Sequence, residues 1–233
     1  MSDSFKNLQE SRKALNAMNS ALQSKLDENT LKIFLALNQI FDIVIAVEKK
    51  PQDFKPEETT DIGEKGLTLF DNLVYELAAK QLNSEKLEVE QISLVLAQWV
   101  IDHGGVLTVL QTVVDGLAHL SNSLKDKEDL TSLLHLITQI VHACSDPIKH
   151  DIDTSNMFRP WRILNINRGI VATRTHNLDI MNRVFPELIQ ALPLDAPGFF
   201  KEGMAEMVRL NYPAPVRHLM QEYYNRTVSP PVH

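Results

Sequence analysis

"DIGEKGLTLFDNLVYELAAKQL" (residues 61–82) spaces Leu69, Phe70, Leu73, Val74 and Leu77 three and four residues apart, so a helix of 3.6 residues per turn gathers them on one face. The period predicts an amphipathic helix running to about Leu82. Asp61, with Glu64 three residues on, reads as its capping pair. No proline occurs between Pro56 and Pro147, as uninterrupted helices require. Only 8 of 233 residues are glycine, which points to few tight turns and long regular elements.

The same reading extends outward. Ser84 is placed to cap the next helix, which ends at His103-Gly104-Gly105, where glycine supplies a left-handed stop. Helices over about 106–123 and 127–144 follow. Upstream, Leu8, Leu15 and Leu22, with Met18 between them, form a narrow stripe over 5–27, suited to docking on another helix of the chain or of a partner. Over 30–48 the helix is apolar except for a sector holding Lys32, Asn38, Gln39 and Asp42, and is expected to be central. Residues 48–60 and 145–156 read as exposed linkers. Helices over about 160–175, 178–192, 197–210 and 214–226 complete the chain, with Pro160, Pro197 and Pro215 in first turns. Pro186 is expected to kink or divide its helix, and the tail "TVSPPVH" to be loose. The fold class is therefore all-α, an irregular multi-helix bundle or a helical-repeat-like stack of about eight to ten helices; no repeat signature is present.

Composition adds a division. Residues 1–154 hold 14 Lys+Arg against 24 Asp+Glu, and residues 155–233 hold 9 against 6. The first part uses lysine almost alone and the second arginine almost alone. We expect an acidic, Lys-rich helical part over 1–150 and an Arg-rich helical part over 151–233, packed together as one compact unit. The net charge of −7 argues against a general nucleic-acid binder. The polar start "MSDSFKNLQESRK" does not read as a secretory signal, and the single cysteine, Cys144, fits a reducing compartment. No run of 18 apolar residues occurs, and the stretch 87–124, free of Lys and Arg, is interrupted by Asp102, His103 and Asp115. These features predict a cytoplasmic protein with no membrane partner.

Candidate sites concentrate in "NMFRPWRILNINRGIVATRTHN" (156–177), which has four arginines and no carboxylate. On a helical wheel Trp161, Leu164, Arg168 and Val171 share one face, and Ile163, Ile166 and Ile170 another. Arg162, Arg168 and Arg174 point in different directions, unlike the single basic stripe that suits a duplex or a membrane. A guanidinium among apolar positions needs a distant or foreign partner, and the acidic first part is the expected donor. Phe158, Arg159, Trp161, Arg162, Arg168 and Arg174 are the candidate partner- or anion-binding residues, since arginine and aromatics dominate interface hot spots.

Other chemistry is poorly supported by spacing. His135 and His142 lie about 10 Å apart along a helix, too far to share an ion. His150 with Asp151 and Asp153 reads as a solvated loop, so no metal site is expected. His142 and Cys144 project about 200° apart on a helix, which separates base from thiol. Phosphate-binding glycine loops and nucleophile elbows are missing, and no cofactor is expected. Arg174, His176 and Asp179 mark the one candidate catalytic neighbourhood, although Asn177 capping the next helix with Asp179 in its first turn accounts for part of it. The expectation is an interaction protein, an adaptor, scaffold or accessory factor with a protein partner or a second copy of itself. The alternatives are a module binding RNA or an anionic ligand through Arg159–Arg174, or a helical enzyme using Arg174, His176 and Asp179.

Overall fold

The computed structural model describes residues 3–50, 54–150 and 156–228. Pro51–Asp53 of the first linker, Asp151 and Asp153 of the candidate metal loop and the last five residues of the tail lie outside them. Among the described residues the chain is all-α, with eleven helices and no strand. They are α1 (Asp3–Leu22), α2 (Glu28–Val47), α3 (Pro56–Ala79), α4 (Asn83–Asp102), α5 (Gln111–Ser123), α6 (Lys127–Ala143), α7 (Asp146–Lys149), α8 (Pro160–Arg174), α9 (Leu178–Ala191), α10 (Ala196–Arg209) and α11 (Ala214–Val228).

These helices form two compact units, Met1–His119 with His142–His150, and Leu120–Val141 with Asp151–His233. The boundary in space differs from the change of composition near residue 150. Residues 120–141 belong with the arginine-rich helices, and the chain passes between the units inside α5 and α6.

In the N-terminal unit the leucine stripe of α1 is fully used, with Leu8 and Leu15 at 0% exposure, and α1 packs on α2 and α4. Its partner is thus its own chain. Helix α2 starts at Asp27, whose carboxylate accepts from the Thr30 backbone N–H at 2.8 Å and from Lys80 Nζ at 2.8 Å; these bonds hold it far below the usual carboxylate range. Packed against α1 and α3, α2 keeps one side open, with Leu35 and Ile43 exposed, so it is less central than its composition suggests. By length and composition alone it is apolar enough to cross a membrane.

Helix α3 begins five residues before Asp61, because Pro56 fits the first turn and the Glu58 side chain accepts the Lys55 N–H at 3.0 Å. Ser84 likewise does not cap α4. The chain turns at Gln81, at φ 60°, where the Leu82 N–H reaches the Leu77 carbonyl, and helix resumes at Asn83. Gly104 ends α4 at φ 72°, as the sequence requires. Residues 106–110 are not helical. β-Branched Val106, Thr108 and Val109 extend, Leu107 exchanges backbone hydrogen bonds with Ala143 and Ser145, and α5 starts only at Gln111, with the Asp71 carboxylate accepting the Thr112 N–H at 2.9 Å in its first turn. Cys144 is buried beside this crossing, and burial pushes its thiol up to about 12.

In the C-terminal unit α8 and α9 form an antiparallel hairpin, and α11 packs on both α9 and α10. Phe185, Phe199, Phe200 and Tyr223 build the core through edge and stacked contacts with centroids 5.1–6.1 Å apart. Pro186 does not divide α9. Pro186 and Asn182 are both exposed, so the carbonyl that loses its donor lies on the solvent-facing side of the helix, where its cost is smallest.

Candidate functional site

The arginines find their anions within the C-terminal unit. Arg159 donates to Asp195 Oδ2 at 3.0 Å and Arg162 Nε to Asp195 Oδ1 at 2.6 Å, so one carboxylate at the start of α10 bridges two guanidiniums. Arg168, 4% exposed, donates to Glu187 at 2.6 Å and to Thr138 Oγ1 at 3.1 Å. The expected donor, the acidic first part, supplies none of these carboxylates. The physical reason is the hairpin, which folds Glu187 of α9 back beside Arg168, while the α9–α10 turn returns Asp195 to the start of α8.

Arg174 is different. Its guanidinium donates to the backbone carbonyls of Ser121 and Leu124, at the C-terminal end of α5, and has no carboxylate partner among the described residues. There it satisfies acceptors that the helix leaves open and sits at the negative end of the helix dipole.

Burial separates the candidates further. Trp161, Arg159 and Arg168 are buried and serve the core, while Phe158 is 79% exposed. Arg162 and Arg174 line an apolar groove of about 470 Å³ between α8 and α10. Its α8 wall is Arg162, Ile166, Ile170, Thr173 and Arg174, one face of that helix at spacings of three and four. Its α10 wall is Gly198, Glu202, Gly203, Glu206 and Leu210, the matching stripe, with Phe199, Met207 and Met220 below.

Two contacts fix the geometry. Arg162 meets Asp195 at the beginnings of the two helices, and Tyr212, which follows α10, feels the charge of Arg174 at the end of α8. The helices therefore run in the same direction, over roughly 18 Å for twelve residues each. Between them, Gly169 of α8 lies so close that a Cβ there would come within 2.7 Å of the Phe199 ring, which forms the floor. At Gly198 an added Cβ would meet nothing within 4 Å. Met157, Leu194 and Leu210 at the ends are 51–77% exposed, and Ile170 in the middle is 41% exposed.

The far end of the groove is polar. Tyr212 packs edge-on against the His176 ring at 4.4 Å, and its hydroxyl has no hydrogen-bond partner among the described residues. Burial pushes the Tyr212 hydroxyl above its ordinary pKa, an effect that Arg174 opposes and Glu206 reinforces, and burial together with Lys127 pulls His176 below its own. His176 occupies the left-handed turn after α8 at φ 56°. Asp179 is exposed in the first turn of α9, where the Asn177 side chain accepts its N–H at 3.0 Å. The structure thus brings Arg174 and His176 to Tyr212 and leaves Asp179 out of that cluster. Among the described residues no group of three His, Cys, Asp or Glu side chains is arranged to hold a metal.

The α10 wall was invisible to a search for charged or aromatic motifs. Its one signal is a pair of glycines, Gly198 and Gly203, inside a helix of a glycine-poor chain. Compared with known protein families, curated proteins and solved structures, the chain matches none.

Proposed function

We propose that the protein acts by binding, as an adaptor or accessory protein, and that the α8–α10 groove of its C-terminal unit receives an amphipathic helix from a protein partner. The observation that carries this reading is the shape of the site: two codirectional helices held apart by their floor, with apolar walls and exposed apolar residues at both ends. A docked helix would fill such a slot with side chains at i, i+4 and i+7 while keeping its polar face in water. Met157, Leu194 and Leu210 carry exposed apolar surface to both ends of the groove, which suits a macromolecular occupant better than a small enclosed ligand. Three of the four arginines are engaged by carboxylates, so a pure anion-binding surface has less support.

The test is a displayed library of 16-residue amphipathic helices selected on the full chain. Ile170→Glu and Leu210→Glu place charge on exposed wall positions and are expected to weaken the selected helices about tenfold or more, a loss of at least ~1.4 kcal/mol. Tyr75→Glu, exposed in the N-terminal unit, is the control and leaves binding unchanged. Binders indifferent to Ile170→Glu and Leu210→Glu, or no binders at all, overturn the reading.

A further inference from the structure

The two ends of the groove are electrostatically unequal, and this bears on which helix it takes. At one end, the N-termini of α8 and α10 come together, with Asp195 shared between Arg159 and Arg162. At the other, α8 and α10 both end, and Arg174 and Tyr212 line the slot without a carboxylate bonded to them among the described residues, while Glu206 of the α10 wall, which Tyr212 also feels, is paired with Arg209. Glu202, midway along the α10 wall, is exposed and equally without a cation among them.

Resting on the groove reading above, we infer that the partner helix lies antiparallel to α8 and α10, with an acidic residue in its first turn meeting Arg174 and Tyr212, and with basic residues kept to its C-terminal half. Each part of this follows from a charge on the page. A helix N-terminus carries a partial positive charge, which is favoured beside the C-terminal ends of α8 and α10, while its C-terminus then meets their N-terminal ends. Acidic residues are themselves favoured in a first turn, so a carboxylate there satisfies its own helix and Arg174 together. Arg174 already has two carbonyl acceptors, and a carboxylate adds charge compensation that those neutral groups do not provide. A basic side chain further along meets Glu202. The parallel orientation puts like helix ends side by side.

Two libraries of the same apolar pattern test this on the full chain, one with Glu in the first turn and Lys in the last, the other with the two exchanged. The first is expected to dominate the selection. Glu→Gln in its best peptide is expected to weaken binding about tenfold on the native chain and less than twofold on Tyr212→Phe, Arg174→Lys or Arg174→Gln. Arg174→Gln removes a helix cap and is read only if it melts as a folded protein; Tyr212→Phe keeps the ring and the fold. A benzophenone at the first residue of the peptide is expected to crosslink near Tyr212 and not near Met157. Equal or reversed enrichment, or crosslinking at Met157, overturns the orientation while leaving the groove reading intact if Ile170→Glu still abolishes binding. Failure of both libraries to give a groove-dependent binder overturns the two together.

Discussion

In the N-terminal unit, an added Cβ at Gly63 or Gly66 of α3, or at Gly116 of α5, would strike α4: a Val100 methyl at 2.5 Å, a Leu96 methyl at 2.4 Å and the Glu90 carbonyl oxygen at 2.7 Å respectively. In the C-terminal unit, a Cβ at Gly198 of α10 would strike nothing. Elsewhere in that unit a Cβ at Gly169 would meet a Leu188 methyl at 2.6 Å and one at Gly203 the Met220 methyl at 2.8 Å, so Gly198 is the position among these that borders open space. The units also differ in which charged groups they bury. Lysines such as Lys6 and Lys32 pair along exposed helix faces, where ion pairs contribute little, whereas Arg159 and Arg168 lie inside the C-terminal unit with side chains 4% exposed. A guanidinium is planar and weakly hydrated, which suits it to burial against a carboxylate; the N-terminal unit instead buries a carboxylate, Glu90, against the partly exposed Lys86 and His119. The N-terminal unit thus buries one carboxylate within its apolar packing, while the C-terminal unit buries arginines and ties the start of α8 to the start of α10 through Asp195.

The strongest way to break this contrast is Asp195→Ala. It strips the shared carboxylate from Arg159 and Arg162, whose side chains are 4% and 21% exposed, and is expected to destabilise the chain by about 3 kcal/mol, because uncompensated charge remains inside. Urea denaturation measures it. A loss below about 1 kcal/mol would mean that the two arginines do not depend on this carboxylate.

The contrast sharpens when one substitution is made in both units. Gly116→Ala sets a methyl against a backbone oxygen that cannot move aside, and a cost of about 2 kcal/mol is expected despite the better helix propensity of alanine. Gly198→Ala has space, and propensity alone should stabilise by about 0.5 kcal/mol. Thermal melts of the two variants should shift in opposite directions. Matching signs would show that the slot at Gly198 is filled in solution or that the seam at Gly116 is looser than its geometry.

How much of this was legible beforehand depended on whether the signal was local. Helix positions followed from three- and four-residue spacing, because that period reports the face a helix buries. Starts were less legible: Asp61 and Ser84 have capping chemistry, yet Pro56 with Glu58 and the turn at Gln81 settle the boundaries first. Residues 106–110 failed for a different reason, since their backbone partners, Thr60, Ala143 and Ser145, are remote in sequence. For the site, the need to neutralise buried guanidiniums was readable from "NMFRPWRILNINRGIVATRTHN", but the carboxylates that do so were not, because only the hairpin and the α9–α10 turn bring Glu187 and Asp195 back. The groove's second wall carries no motif at all, and shape, not residue type, makes it a site.

The smallest expected effect is also the one that links stability to the groove's polar end. His176 is held below its ordinary pKa of 6.5 mainly by burial, with Lys127 adding to it, so the folded chain binds this proton less readily than the unfolded one. Stability from this group is therefore complete above about pH 6.5 and is lost as the pH falls through 6.5 toward the lower folded value. His176→Asn removes the titration, and asparagine tolerates the left-handed backbone at this turn. Between pH 7.5 and 5 the native chain should lose more stability than the variant, by a fraction of a kcal/mol to ~1 kcal/mol, read as the difference between two series of urea midpoints. The other histidines cancel in that difference, as do the carboxylates. Parallel series would show that His176 is hydrated, and then Tyr212, which it contacts, is not enclosed either. A steeper native slope would place a desolvated ring at the point where the groove meets Arg174, the condition under which a carboxylate delivered there interacts strongly.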